Sequence, residues 1–200
     1  VMVNSPHNPS GATLSAEDLL QLQALAEQHN LLVVSDEVYE HLVFDGKQHH
    51  SALQFSALRR RSFVLFSFGK TFSVTGWKTG YCVAPQALTT ELRKAHQFVC
   101  FVAVTPVQHA LADFMADQPD YPATLPEFYQ RKRDLFCRAL ESSRFTLTPS
   151  AGTYFQLLDY SAISDAPDVA LAADWTRQHG IASIPISIFY EKPPEQYYLR

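Results

Sequence analysis

The sequence predicts an α/β fold in which a mainly parallel sheet with flanking helices is followed by a smaller α+β unit. Three short apolar runs, LLVVSD, FVLFS and YCVA, lack polar alternation and are typical of strands buried on both faces. A helical pattern separates the strand-like VMV from these runs, and strand, helix, strand order indicates a parallel sheet. The pattern changes near residue 138, so we divide the chain into residues 1–137 and 138–200.

The first helix is predicted from Ser15 to about His29, where apolar residues recur at helical spacing. Ser15 and Asp18, three residues apart, form a plausible capping pair. Three predicted strands follow: LLVVSD, which ends at Asp36, FVLFS at residues 63–67, and YCVA at residues 81–84. This order gives the parallel core of the predicted sheet.

The rest of the chain is mainly helical after Pro85 and mixed after residue 142. Thr105 followed by Pro106 predicts a helix start, and a second helical pattern covers about 125–141. Beyond it, FTLTP, GTYFQLLDY and IASIPIS are predicted to be strands, with a helix at about 168–179 between the last two.

Composition excludes several classes of protein. The 200 residues carry a formal net charge of −4, so the sequence lacks the excess of positive charge that attracts nucleic acid or an anionic membrane surface. No apolar run approaches the roughly 20 residues that span a bilayer. The three cysteines, Cys82, Cys100 and Cys137, are widely spaced and odd in number, which favours reduced thiols in a cytoplasmic protein.

Polar residues follow three of the predicted strands. Asn8 lies beyond VMV, Asp36 ends LLVVSD, and Lys70 stands three residues beyond FVLFS. Ligands of open parallel sheets collect at the carboxyl ends of the strands, so we expect these side chains to share one edge. The Gly69-Lys70-Thr71 triplet is not a nucleotide-binding loop, because that motif needs a glycine at position 64, where Val64 stands.

Several segments, in this order, carry a family resemblance. NPSG at 8–11, DEVY at 36–39, and SFGK with TGWK across 67–78 resemble the pyridoxal-phosphate-dependent class I aminotransferases of fold type I. Within this family, AGTYF and IPISIFY are most similar to the methionine and kynurenine (glutamine) aminotransferase branch. The resemblance covers essentially the whole chain. It implies that residues 1–137 are part of the large cofactor-binding domain and 138–200 part of the C-terminal small domain.

The resemblance also implies roles for the residues at the sheet edge. Lys70 matches the lysine that binds pyridoxal 5'-phosphate covalently and then acts as the general base, a role that requires a desolvated amine beside the cofactor. Asp36 matches the carboxylate that keeps the pyridine nitrogen protonated. Tyr39 and Asn8 match the donors to the phenolic oxygen of the cofactor.

Three further positions are implied to hold the anionic groups. Ser67 and Lys78 match the phosphate ligands, although many family members have arginine at the position of Lys78, and lysine lacks its planar fork. Arg200 matches the arginine that pairs with the substrate α-carboxylate, which Asn8 would also reach. No metal is expected.

The implied function is transfer of an amino group between an apolar or aromatic amino acid, with a methionine-like donor favoured, and a 2-oxo acid. A homodimer is implied as well. Two alternatives stay open: a pyridoxal-phosphate-dependent carbon–sulfur β-lyase, and a non-catalytic cofactor-binding domain of a regulator. The ends of the sequence lead us to expect a piece of a longer enzyme, near its second half, that binds the cofactor poorly by itself.

Two other features are assigned to structure. His49 and His50 are predicted to lie in an exposed turn, since no ligand partner stands at metal-binding spacing. Phe98, Phe101 and Phe114 recur at helical spacings and are predicted to belong to the core or to a subunit interface.

Overall fold

The structure, a computed structural model, describes residues 1–200. A four-stranded sheet has the order β1-β2-β3-β4, with β1 at Met2–Asn4, β2 at Val33–Asp36, β3 at Ser62–Ser67 and β4 at Gly80–Val83. The helices are α1 (Ala16–Gln28), α2 (Ser56–Arg59), α3 (Phe68–Thr71), α4 (Gln86–Val99), α5 (Thr105–Asp117), α6 (Tyr121–Ala139) and α7 (Asp168–His179). A second sheet pairs β5 (Leu158–Asp159) with β6 (Tyr198–Leu199). The α/β class is as predicted.

The first sheet is mixed rather than wholly parallel. Strands β1, β2 and β3 run parallel, but β4 runs antiparallel to β3. A parallel return needs a crossover that spans the sheet, whereas residues 68–79 coil into α3 and a 3-10 turn and bring the chain straight back. Gly80 pairs with Ser67, and a Cβ at Gly80 would lie 2.3 Å from the Phe66 carbonyl oxygen, so only glycine fits there.

Helix α1 confirms its predicted capping pair. The Ser15 side chain accepts from the Asp18 N–H, and the Asp18 carboxylate accepts from the Ser15 N–H at 2.7 Å. The buried residues of α1, Leu19 and Ala26, pack against the sheet. The core of this region consists of Leu19, Ala26, Val33, Ala52, Leu58 and Val64.

The segment around Lys70, directly after β3, is helical. Residues Phe68–Thr71 form the short helix α3, and the Ser67 side chain caps it by accepting from the Lys70 N–H. A serine at this position satisfies one of the free amides of the first helical turn, which favours the helix. Lys70 is therefore held on a capped turn at the end of β3.

Helices α4, α5 and α6 bury few side chains. Helix α4 buries none, α5 buries Leu111 and α6 buries Leu125. Helix α6 begins at Tyr121, earlier than predicted, and continues through Pro126. Phe98 and Phe101 are 87% and 76% exposed, so they are not core residues of this chain.

The C-terminal part contains less strand than predicted. Helix α7 has the predicted bounds, but of the three predicted strands only β5 and single bridges at Thr146, Gly152 and Pro185 form ladder pairs. In IASIPIS, Ile184 and Arg200 exchange N–H···O bonds, and Pro185, which follows, has no N–H to extend this ladder. A separate core here consists of Tyr160, Leu171, Ala172 and Leu199.

None of the helices combines the length and the apolar character that crossing a lipid bilayer would require.

Candidate active site

The carboxyl ends of β1, β2 and β3 meet at one edge of the sheet and form a cavity of about 500 Å³. Its lining includes Asn8, Asp36, Tyr39 and Lys70. These residues come from three separate stretches of sequence, and the parallel pairing of the strands brings their side chains to one place. The structure has these side chains at one edge of the sheet, as predicted. Their roles in binding a cofactor stay predictions.

Asp36 is fixed by its backbone. Its carbonyl oxygen accepts from the Ser5 N–H at 3.1 Å and from Asn4 Nδ2 at 2.9 Å. Its side-chain Oδ1 accepts from the Val38 N–H at 3.3 Å. Burial raises the pKa of the Asp36 carboxyl, against the opposing effects of the Val38 amide and the charge of Lys70. A cation in the cavity would stabilise this carboxylate in its ionised form.

Tyr39 is buried beside the same cavity. Burial raises the pKa of its phenol, so the hydroxyl stays protonated and able to donate at neutral pH. Its ring packs edge-on against Tyr154 and Phe155, with centroids 5.3 Å and 5.9 Å away. Lys70 Nζ lies 5.7 Å from the centroid of the Tyr39 ring.

A second cavity, of about 230 Å³, lies on the other side of Lys70. Every residue around it is polar or glycine: Ser67, Gly69, Lys70, Thr75, Lys78, Thr79 and Gly80. Two ammonium groups and several hydroxyls in so small a space suit an anion the size of a phosphate. Lys70 is the one residue that lines both cavities.

Lys78 reaches this position through an unusual backbone conformation. It ends the 3-10 turn Thr75–Trp77 with φ at +53°, in the left-handed region. Few residues other than glycine adopt this conformation without cost, and such strain is concentrated at ligand sites. Lys78 and Ser67, both predicted phosphate ligands, therefore flank the small cavity.

Arg200 crosses from β6 to the edge of the first sheet. Its Nη1 donates to Asn8 Oδ1 at 2.6 Å, and its guanidinium carbon lies 3.9 Å from the centroid of the Phe155 ring. Asn8 is held in turn by its N–H, which donates to Asn4 Oδ1 at 2.9 Å. The two residues that sequence reasoning assigned to the substrate carboxylate are thus in direct contact.

Sequence reasoning missed four polar residues of the two cavities: Asn4, His7, Thr75 and Thr79. Asn4 supports Asp36, and Thr75 and Thr79 add hydroxyls to the small cavity. The signal for the threonines was present, because both lie within TGWKT, the segment that contains the predicted phosphate ligand Lys78. Asn4 could be recognised only once its register opposite Asp36 was known.

The prediction for His49 and His50 was wrong. Both are half-buried, and His49 Nε2 lies 2.8 Å from Glu37 Oε2. Glu37 is buried and also accepts from Ser35 Oγ and from the Ala52 N–H. Sequence spacing concealed this pair because the carboxylate lies 12 residues before the histidine. No group of three or more histidine, cysteine, aspartate or glutamate side chains is arranged to hold a metal ion.

The donor set fits pyridoxal 5'-phosphate. The small polar cavity suits the phosphate, and Asp36 provides an anion for a protonated ring nitrogen. Tyr39 is a protonated donor, and Lys70 stands between the ring and phosphate regions with its amine available to an aldehyde. A half-buried carboxylate and a lysine in these places have no evident use in the packing of the fold.

Such a fold and site define the class of α/β proteins that bind pyridoxal phosphate through a lysine at the sheet edge. The chain belongs to the class I and II aminotransferase family, whose sequence model matches residues 1–200. This result confirms the resemblance found in the sequence, and with it the expected cofactor of the family.

Comparison with individual proteins gives the same answer. The chain is 45% identical over 193 residues to the methionine aminotransferase of Escherichia coli K12, a match that covers 96% of this chain and 50% of the relative. It is 35% identical over 222 residues to the kynurenine–oxoglutarate transaminase of Dictyostelium discoideum, covering 98% of this chain and 51% of the relative.

A crystal structure of an Escherichia coli protein with methionine aminotransferase function superposes with a TM-score of 0.95 at 43% identity. The superposition covers 99% of this chain and 52% of that structure. The chain therefore spans about half the length of the relatives it matches.

Proposed function

We propose that the protein carrying this chain catalyses pyridoxal-phosphate-dependent transamination between an amino acid and a 2-oxo acid. The observation that carries the proposal is the position of Lys70, which lines both the phosphate-sized cavity and the cavity that contains Asp36 and Tyr39. A lysine there reaches a cofactor aldehyde while the phosphate is held behind it. Membership of the aminotransferase family supports the reaction type.

Pyridoxal phosphate, when bound, supplies an electron sink for the charge that develops on the substrate α-carbon. Asp36 would hold the proton on the ring nitrogen, and that contact would restore the carboxylate charge that burial disfavours. Tyr39 and Asn8 would donate to the phenolic oxygen. Ser67 and Lys78, with Thr75 and Thr79 beside them, would bind the phosphate.

Lys70 Nζ would bind the cofactor covalently and, once the substrate amine replaces it, would remove the proton from the α-carbon and return one to the cofactor side. Arg200 and Asn8 would orient the substrate by binding its α-carboxylate. An arginine fork fixes a carboxylate in one plane, which presents the α-hydrogen to the lysine.

The proposed amino donor is apolar or aromatic, and methionine-like in preference to dicarboxylic. The support is the 45% identity to a methionine aminotransferase, compared with 35% to a kynurenine–oxoglutarate transaminase. The β-lyase and regulator alternatives are not favoured, because these relatives are aminotransferases.

We further propose a homodimer. Phe98, Val99, Phe101, Val102 and Val104 form a continuous segment in which each side chain is more than half exposed. We call residues 98–104 the apolar segment. A second copy of the chain is its proposed occupant, because exposed apolar clusters of this kind mark interaction surfaces and most homo-oligomers are symmetric.

The division into 1–137, part of a large cofactor-binding domain, and 138–200, part of a small domain, is also proposed. The separate core around Tyr160 and Leu171 supports it, although the boundary falls in the last turn of α6. A cytoplasmic location is proposed because Cys82, Cys100 and Cys137 are all free thiols.

Borohydride reduction in the presence of pyridoxal phosphate, followed by peptide mapping, tests the central proposal on the full-length protein. We expect one reduced adduct per chain at Lys70 and none at Lys94, an exposed lysine paired with Glu91. Stoichiometric labelling elsewhere, with Lys70 unmodified, would contradict the proposal.

Product analysis tests the reaction and the donor class. We expect methionine to yield its 2-oxo acid only when an acceptor 2-oxo acid is present, with slower turnover of aspartate. Release of pyruvate and a thiol from a cysteine conjugate, without amino transfer, would establish the β-lyase instead.

A further inference from the structure

The guanidinium group of Arg200 is held from two directions. Its Nη1 donates to Asn8 Oδ1 at 2.6 Å, and its guanidinium carbon lies over the Phe155 ring, 3.9 Å from the ring centroid. The hydrogen bond fixes one corner of the fork, and the ring covers one face. The remaining edge of the fork is left for a ligand in the plane of the group.

Phe155 is itself rigidly placed. Its ring packs edge-on against Tyr39, with centroids 5.9 Å apart, and against Tyr154, with centroids 4.7 Å apart. Its N–H donates to Thr153 Oγ1 at 3.2 Å. The ring therefore joins the arginine of β6 to the buried tyrosine of the cofactor cavity.

The loop that carries Phe155 is fastened to the first half of the chain. Gly152 forms an antiparallel bridge with Val43, and the Thr153 N–H donates to the Leu42 carbonyl at 2.9 Å. A Cβ at Gly152 would stand 2.7 Å from the Leu42 carbonyl oxygen, so the close approach requires glycine. Phe155 thus has the fixed backbone that a positioning residue needs.

We propose that Phe155 is a positioning residue for the substrate carboxylate: its ring holds the Arg200 guanidinium in the orientation that binds the carboxylate. The proposal rests on the proposed function, in which Arg200 contacts the substrate. A free arginine side chain has many rotamers, and ordering it on binding weakens affinity. A ring beneath the guanidinium restrains these rotamers before substrate arrives and adds a cation–π attraction.

The test replaces the ring while keeping an apolar side chain. In the full-length enzyme we expect Phe155→Leu to raise KM for the amino acid about tenfold. Loss of a cation–π contact that is shielded from bulk water weakens binding by about this factor. We expect kcat and the absorption spectrum of the bound cofactor to stay unchanged, because Lys70, Asp36 and Tyr39 remain. Phe155→Tyr keeps the ring face and should restore KM.

Phe145→Leu is the matched control. Phe145 is also half-buried in the C-terminal part, and its ring contacts Trp175 at a centroid distance of 5.8 Å instead of contacting the arginine. Loss of an aromatic ring by itself should leave KM unchanged in this variant. An equal rise in KM in both variants would overturn the proposal, since it would reflect general loosening.

A double-mutant cycle separates action through Arg200 from a direct contact of Phe155 with substrate. In an Arg200→Leu background, Phe155→Leu should add no further rise in KM, because the group it positions is gone. Fully additive effects would overturn the positioning role while leaving transamination intact. Failure of the proposed function would look different: the wild-type enzyme itself would give no amino transfer and no adduct at Lys70.

Discussion

The edge of the first sheet and the helical region 86–139 use apolar residues in opposite ways. Around the sheet, Leu19, Val33, Leu58 and Val64 are at most 1% exposed, and polar side chains are concentrated at the strand ends. In the helical region, α4 buries no side chain at all, and Phe98 is 87% exposed. One region has its own core and a preformed cavity, while the other presents apolar surface.

The sheet edge and the helical region are therefore expected to depend on other chains to different degrees. At the cavity, Asp36 is held by contacts within the chain, because its carbonyl oxygen accepts hydrogen bonds from the Asn4 side chain and the Ser5 N–H. Exposed aromatic residues in the apolar segment have no such local support, and covering them would remove unfavourable contact with water. We therefore expect substitutions at the sheet edge to affect chemistry and substitutions in the apolar segment to affect assembly.

The largest effect is expected at Lys70. Replacing Lys70 with alanine should lower kcat by about 10⁴-fold or more, because it removes both the covalent attachment and the base. Rates measured with added cofactor at saturating substrate check this. Lys94→Ala, which removes an exposed lysine of α4, should leave kcat unchanged. Similar losses in both variants would mean that the sheet edge holds no special lysine.

Asp36→Asn should lower kcat by about 10²- to 10³-fold, since a neutral amide cannot keep the ring nitrogen protonated. Its shape is retained, so the unfolding midpoint should change little. Kinetics combined with thermal unfolding check both expectations. Asp174→Asn, at an exposed ion pair on α7, is the control. Normal activity in Asp36→Asn would remove Asp36 from the site.

In the apolar segment, Phe98→Ser should raise the dimer dissociation constant about 10- to 100-fold, the range for a central aromatic contact. Sedimentation equilibrium of the full-length protein measures this constant. Leu20→Ser, at a 52% exposed leucine of α1, should leave it unchanged. If Phe98→Ser has no effect on assembly, the apolar segment lies outside the dimer interface.

The smallest effect concerns Glu40, just beyond Tyr39. Burial raises the pKa of Glu40 to about 7, and its Oε2 lacks a hydrogen-bond partner. The folded state therefore binds this proton more tightly than the unfolded state, so the stabilisation present at pH below 4.5 is lost as pH rises through about 7. Glu40→Gln should increase the free energy of unfolding at pH 8, relative to wild type, by about 1 to 2 kcal/mol more than it does at pH 5.

Urea unfolding at both pH values checks this prediction. The control is Glu127→Gln, at an exposed glutamate paired with Arg131 on α6. This substitution should change the free energy of unfolding by the same amount at pH 5 and at pH 8. An equal change in Glu40→Gln at pH 5 and pH 8 would show that Glu40 has an ordinary pKa.

Much of the sheet edge could be predicted from the sequence because strand ends are local signals. The apolar run before Asp36 and the one before Ser67 specify where β2 and β3 end, and parallel pairing then brings the two ends together. The capping pair at Ser15 likewise fixed the start of α1. These features depend on neighbours in sequence, so pattern reasoning captures them.

The errors have a common cause in contacts between distant residues. The antiparallel direction of β4 depends on how residues 68–79 coil, and the burial of His49 depends on Glu37. Thr146 and Pro185 form only single bridges, each at the point where a distant residue pairs with it. The contact of Phe155 with Arg200 is likewise invisible in the sequence, because only the folded chain brings the two together.

The hydrogen bond from Arg200 to Asn8 has a consequence for the order of folding. It joins residues 192 positions apart in the sequence. Contacts of such long range form late, because the entropy of closing the loop must be overcome first. The two cavities proposed for the cofactor are lined only by residues between Met2 and Gly80, so they can form before the carboxylate site does. During refolding we expect cofactor binding to be regained before recognition of the amino acid.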